Sequence, residues 1–217
     1  MAVIDGLTTL TLVKLDLGLT DTTHNNLLEQ LINGVSNQIL AYLDREIKRT
    51  VHTTELYAVN NAQTLLLKNY PVQTLSECKL GGVVLTIGTD VVLDGPSGRL
   101  YRAQGWIGNY YTRGTFPDIF SGARDISVTY TSGYYLPADG SYTAGATDSL
   151  PLAITMAANR AVSTTFRVLD AQSQGLKSFT EGGISQTWVD SFPAGSTGFD
   201  PVTLGMLSLY KRREAVG

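Results

Sequence analysis

From Asn25 to Ile47 the apolar residues fall at Leu27, Leu28, Leu31, Ile32, Val35, Ile39, Leu40, Leu43 and Ile47. This i, i+3, i+4 recurrence is the period of an amphipathic helix, and a strand would scatter the same residues over both of its faces. Any fold open to this chain must supply a partner for that stripe. Asp21 or Thr22 stands where a cap belongs, and Asn26 to Glu29 loosely has the spacing of a capping box. Arg45 and Lys48 fall in the last turn, where cations suit the helix dipole. The reading is a helix near 22–48. Gly34 inside it costs about 1 kcal/mol against alanine and is read as a mark of close helix packing.

The texture then changes. From about 53 to 135 Thr, Val, Ile and Tyr become frequent, broken at short intervals by Gly, Pro, Asn and Asp, which reads as a β-rich insertion of successive strands. Leu65–Lys68, Leu75–Leu80, Val83–Ile87, Val91–Asp94, Arg99–Arg102 and Ile126–Tyr130 are the expected strands, with turns at Gly81-Gly82 and Gly95-Pro96-Ser97-Gly98. Residues 138–147 read as a surface loop. Asp148 or Ser149 as cap and Pro151 in the first turn open a further helix near 149–170. Between Gly175 and Gly198 the segment Ile184–Val189 is a strand candidate in a loop. Asp200-Pro201 starts a short helix near 200–213, with Val202, Leu204, Leu207 and Tyr210 on one side and Lys211-Arg212-Arg213 at its end. The segment 10–19 alternates like a strand, yet a Thr cap and a Gly18 stop suit a short helix equally. With its strands in one block, the layout is α+β.

Composition narrows function by exclusion. Only 16% of the 217 residues are charged and the net charge is −3, unlike a protein built to grip phosphate backbones. One cysteine, Cys78, excludes an internal disulfide framework and a multi-cysteine zinc site. Two histidines, His24 and His52, leave little for a metal centre, so no metal and no cofactor are expected. No apolar run approaches the roughly 20 residues that span a bilayer, so no membrane partner is expected. The first residues lack the basic and apolar regions of a secretion signal, and the expectation is a soluble protein of a reducing compartment.

Catalytic readings are thin. His52 as base, Cys78 as nucleophile and Asp94 as orienting acid form a conceivable trio, but Cys78 sits in an expected strand with no catalytic signature around it. His24 reads as a solvated first-turn residue. Gly95-Pro96-Ser97-Gly98 joins two strands and lacks the Gly-Lys-Ser/Thr ending of a phosphate loop. No catalytic residue is assigned and no enzymatic activity is expected. Trp106, Tyr110, Tyr111, Phe116 and Phe120 cluster with few basic residues among them, which fits core or protein-interface aromatics better than a base-stacking platform.

The order of these motifs resembles the head–tail connector (adaptor, or head-completion) proteins of tailed bacteriophages. Leu10-Thr11-Leu12-Val13-Lys14-Leu15-Asp16-Leu17-Gly18-Leu19 looks like the family's first helix, which turns the ambiguous segment towards a helix near 10–18, and the helix from Asn25 is similar to its second. Tyr70-Pro71-Val72, the hairpin Leu93–Leu100, the strand end Val128-Thr129-Tyr130-Thr131-Ser132-Gly133-Tyr134, Leu150-Pro151, Gly182-Gly183-Ile184-Ser185 and the spacing of Leu207, Tyr210 and Arg212 continue the series. The insert between Gly105 and Arg124 and the loop 138–147 look longer than in the family's shorter members.

The resemblance implies a single connector domain over 1–217: a small helical bundle carrying the β-rich insertion 53–135 and a docking segment 199–217. It implies a virion protein of the head–tail junction, made in the host cytoplasm and assembled as a twelve-membered ring under the portal protein. The ring would close the DNA-filled head, present a surface to a tail or tail-completion protein, and pass DNA without binding it specifically. Twelve copies at −3 each carry −36, a sign that repels a polyanion. Leu207 and Tyr210 are the expected portal anchors with Lys211, Arg212 and Arg213 as a basic rim, and Trp106, Tyr110, Tyr111 and Phe116 are candidates for the subunit interface. The neighbouring reading is a tail terminator or tail-tube joining protein. From other classes come a Cys- or Ser-dependent hydrolase and a carbohydrate-binding tail module.

Overall fold

Residues 10–17 are helical in the computed structural model, which describes residues 5–59, 62–107, 125–173, 178–181, 184–187 and 199–211. Helix α1 (Leu10–Leu17) begins where the Thr9 hydroxyl accepts the Leu12 N–H at 3.3 Å. It stops at Gly18, whose φ of 70° lets Gly18 N–H reach Leu15 O and Leu19 N–H reach Lys14 O at 3.0 Å. These local bonds override the strand-like alternation. Helix α2 (Asn25–Leu43) buries Leu28, Ile32, Val35, Ile39 and Leu43, most of the apolar stripe. Each such side chain is worth about 1.5–3 kcal/mol when fully buried.

The ends of α2 differ from expectation. His24 occupies the cap position without a side-chain bond, and Asp21 instead turns back to accept the Thr23 N–H at 2.9 Å. At the other end Asp44 takes a left-handed φ of 50° and the helix stops, leaving Arg45 and Lys48 outside it. Ile47 cannot extend the helix because its carbonyl accepts the Tyr134 N–H at 2.8 Å in the following sheet region. Gly34 has nothing within 4 Å of where a Cβ would stand, so it does not mark close packing.

The chain divides into two compact units, Met1–Arg45 with Tyr135–Gly217 and Glu46–Tyr134. The second is inserted in the sequence of the first and starts at Glu46, earlier than the expected 53. It holds β1 (Thr50–Tyr57), β2 (Thr64–Leu66), β3 (Val72–Leu80), β4 (Val83–Val84), β5 (Val92–Asp94), β6 (Arg99–Tyr101) and β7 (Ile126–Ser132). An antiparallel sheet runs β1-β7-β3-β4 and a smaller one β2-β6-β5. Strand β4 is shorter than expected because Asp90 accepts the Thr86 N–H at 2.8 Å and folds 86–90 into a turn. The unit's core gathers Tyr57, Leu67, Val72, Cys78, Leu100, Trp106, Ile126, Val128 and Tyr130, among others. At its strand end Gly133, with φ 86°, lies so near the Ile47 and Lys48 carbonyls that a Cβ would come within 2.7 Å of Ile47 O.

The first unit adds α3 (Leu152–Ser173), the hairpin β8 (Ser178–Glu181) with β9 (Ile184–Thr187), and α4 (Pro201–Ser208). Ser149 does not cap α3: its hydroxyl accepts the Thr143 N–H at 3.0 Å and ties down the preceding loop. Helix α1 packs on α2 and α3, and α4 packs on α3 and α2. Strand β9 falls within the expected 184–189, while its partner β8 lies where the sequence suggests loop. None of the described helices is long and apolar enough to cross a membrane.

Candidate functional site

Helix α4 is built by its own first residues. Asp200 accepts the N–H groups of Val202 (2.9 Å) and Thr203 (3.1 Å), the Thr203 hydroxyl (2.8 Å) and Arg160 Nε from α3 (3.2 Å). Burial opposes the charge on Asp200, but the Thr203, Arg160 and Val202 hydrogen bonds outweigh it and hold the carboxyl below its ordinary value. Thr203 and Leu207, one turn apart, are both wholly buried, while Val202 is half exposed. The inward side is therefore Thr203–Leu207 rather than the expected Val202, Leu204, Leu207 and Tyr210.

This corrects the role expected of Leu207. A side chain with no accessible surface closes its own unit and offers nothing to a partner. The helix also ends at Ser208, short of 213, and the residues beyond it carry the exposed chemistry. Leu209 is 82% exposed, Tyr210 is partly exposed, and Lys211 is exposed with its Nζ 5.3 Å from the centre of the Tyr42 ring. Arg212 and Arg213 lie outside the described residues. Leu209 escaped the sequence reading because it broke the assumed helical face.

Trp106 is also corrected. Its side chain is wholly buried in the core of the β unit, and its backbone N–H donates to Ala62 O at 2.8 Å, so its indole cannot meet another subunit. Tyr110, Tyr111 and Phe116, with Phe120, lie outside the described residues.

The conceivable catalytic trio is not equipped for chemistry. Cys78 is buried, and desolvation pushes its thiol up to about 11, leaving almost no thiolate at neutral pH. Asp94 is bonded to Ser97 in its own turn, and His52 Nε2 meets Ser132 Oγ at 2.8 Å. His24 is no free surface residue, since its ring stands edge-on to Phe166 at 5.3 Å. Among the described residues no group of His, Cys, Asp and Glu could hold a metal.

A polar cluster that the sequence reading missed sits between β1 and β7. His52 pairs with Tyr130 and Glu55 with Val128, so Thr53 and Thr54 together oppose Thr129 in a bulge. Without the extra residue Glu55 and Tyr57 would face the other side; with it they share the face of His52. Thr54, at φ 54°, makes the bend and donates its N–H to Thr129 Oγ1 at 3.1 Å. Glu55 Oε2 then accepts Tyr130 Oη at 2.5 Å and Tyr57 Oη at 2.7 Å, and Oε1 takes Lys68 Nζ at 3.0 Å. The Tyr57 oxygen in turn accepts the Lys68 N–H at 3.0 Å.

Burial opposes the charge on Glu55, but the bonds from Tyr130, Tyr57 and Lys68 outweigh it and lower its carboxyl below the ordinary value. Burial, then the bond to Glu55, pushes Tyr130 up to about 12, and burial raises Tyr57 as well. At neutral pH the cluster is one fixed carboxylate and two neutral phenols. It fastens β1 to β7 and is not poised for proton transfer.

The chain matches the family model described as head completion protein over residues 6–163. It belongs to the head completion protein family. It is thus a structural protein of the virion, an adaptor at the junction of head and tail. No curated protein matches it significantly by sequence. Among solved structures it is similar to a chain from the neck of an empty gene transfer agent particle computed with C6 symmetry, at 15% identity and a TM-score of 0.44, covering 100% of this chain and 95% of that one. A chain from the neck of the native particle computed with C12 symmetry gives 14% and 0.39, and one from the native virion 16% and 0.43, both with the same coverage.

Proposed function

We propose that the protein assembles as a ring beneath the portal, closes the DNA-filled head, and presents the surface on which the tail is built. The C-terminal segment engages the portal through Leu209 and Tyr210, with Lys211, Arg212 and Arg213 pairing with acidic portal groups. The observation that carries this docking role is the division of labour at the end of α4: Leu207 secures the helix to its own unit, and Leu209, 82% exposed just beyond it, precedes the partly exposed Tyr210 and the exposed Lys211. An exposed aliphatic residue flanked by an aromatic and a cation has the composition of an interface anchor. The net charge of −3 per copy keeps DNA moving through the channel without adhesion. The fixed carboxylate of Glu55 and the protonated thiol of Cys78 favour a structural, non-enzymatic role.

Co-sedimentation with purified portal rings tests this. A chain ending at Ser208 keeps Leu207, and its circular dichroism is expected to match the intact chain's; loss of co-sedimentation by that folded truncation isolates the tip, while the intact chain rides with the portal. Equal binding by both chains would overturn the docking assignment, and binding by neither would overturn the place beneath the portal.

A further inference from the structure

Two helices of the first unit leave aliphatic faces open to solvent. On α1 these are Leu12 (39% exposed) and Leu15 (78%), with exposed Asp16 on the same face one turn after Leu12. On α3, Leu152 (57%) and Met156 (51%) lie one turn apart. Arg160 continues that face, half exposed beyond its bond to Asp200, and exposed Arg167 follows two turns on. Asp170 is the one acid at the far end of this face. The two faces share a pattern of aliphatic residues followed by charge, and the charge is of opposite sign.

We propose that the partner of each face is the other face on the next copy of this chain: α1 of one subunit lies along the N-terminal half of α3 of its neighbour. Leu12 and Leu15 then pack on Leu152 and Met156, while Asp16 meets Arg160, one turn beyond Met156. Two different patches that complement each other make a heterologous contact, which generates a ring when its rotation closes. An isologous contact would instead bring Asp16 against Asp16. The inference rests on the ring assembly proposed above and assigns the surface that builds it.

Cross-linking of full-length chains decides it. Leu15→Cys and Met156→Cys variants are mixed and treated with a short bismaleimide; Cys78 is buried and stays silent. The expected product is the mixed cross-link between positions 15 and 156, in excess of 15–15 and 156–156 pairs. Asp16→Arg is expected to weaken self-association about tenfold through like-charge contact with Arg160, and Arg167→Glu, two turns past the contact, to leave it unchanged. Rings that form without the mixed cross-link, or that tolerate Asp16→Arg, would overturn this surface and leave ring assembly standing. A wild-type chain that is monomeric at every concentration, alone and beside purified portal rings, would overturn both.

Discussion

Replacing Glu55 with Ala removes the acceptor of two phenolic hydrogen bonds and the partner of Lys68 in one step. Tyr130 is wholly buried and Tyr57 nearly so, so both hydroxyls lose a charged acceptor where water has little access. Hydrogen bonds to charged groups contribute about 1.5–3 kcal/mol each, and the two share one oxygen and do not add fully, which gives a cost of about 3 kcal/mol. Tyr130→Phe and Tyr57→Phe each remove one donor and should each cost about half of that. The pH dependence has a definite sign. Glu55 is lowered in the fold from 4.5, so its contribution is complete above that value and is lost as pH falls through the folded pKa. Urea unfolding followed by Trp106 fluorescence in a Trp188→Phe background reads the β unit directly, because Trp106 lies in its core. In Glu55→Gln the acid-side decline of stability should flatten. A Glu55→Ala loss under 0.5 kcal/mol, or an unchanged acid limb in Glu55→Gln, would refute the reasoning.

Gly133→Ala forces a Cβ against the Ile47 and Lys48 carbonyls at φ 86° and should cost about 2–4 kcal/mol by urea unfolding. Thr54→Gly relieves a left-handed β-branched residue at an exposed bulge and should raise stability by about 1 kcal/mol in the same assay. Gly34→Ala has open space for its methyl and should stabilise α2 by up to about 1 kcal/mol, read by thermal melting in circular dichroism. Asp200→Ala removes the cap of α4 and the Arg160 partner. It should cost about 1–2 kcal/mol at neutral pH and speed hydrogen exchange in 202–208, with the difference from wild type shrinking as acid protonates Asp200.

What was legible in the sequence was whatever local chemistry decides. The α2 stripe, the Asp200-Pro201 start of α4 and the strand β7 each carry their own periodicity or cap, whereas 10–19 suits strand and helix equally and only the family resemblance turns it towards α1. The misplaced ends have non-local causes. Helix α2 stops at Leu43 because Ile47 and Lys48 are drawn to Tyr134, far along the chain. Leu207 and Trp106 look like interface anchors from sequence because burial in one's own core and burial against a partner demand the same residue types. The Glu55 cluster was invisible for another reason: strict alternation separates His52 from Glu55, and only the bulge at Thr53-Thr54 reunites them. Glycine likewise had two meanings, close approach at Gly133 and open space at Gly34.

The claim that this chain is the adaptor closing the head and receiving the tail is tested most directly by particles assembled without it. Electron microscopy of such a preparation, beside one supplied with the intact chain, should show heads without tails and free tails, with complete particles restored by the protein. Complete tailed particles in its absence would contradict the account.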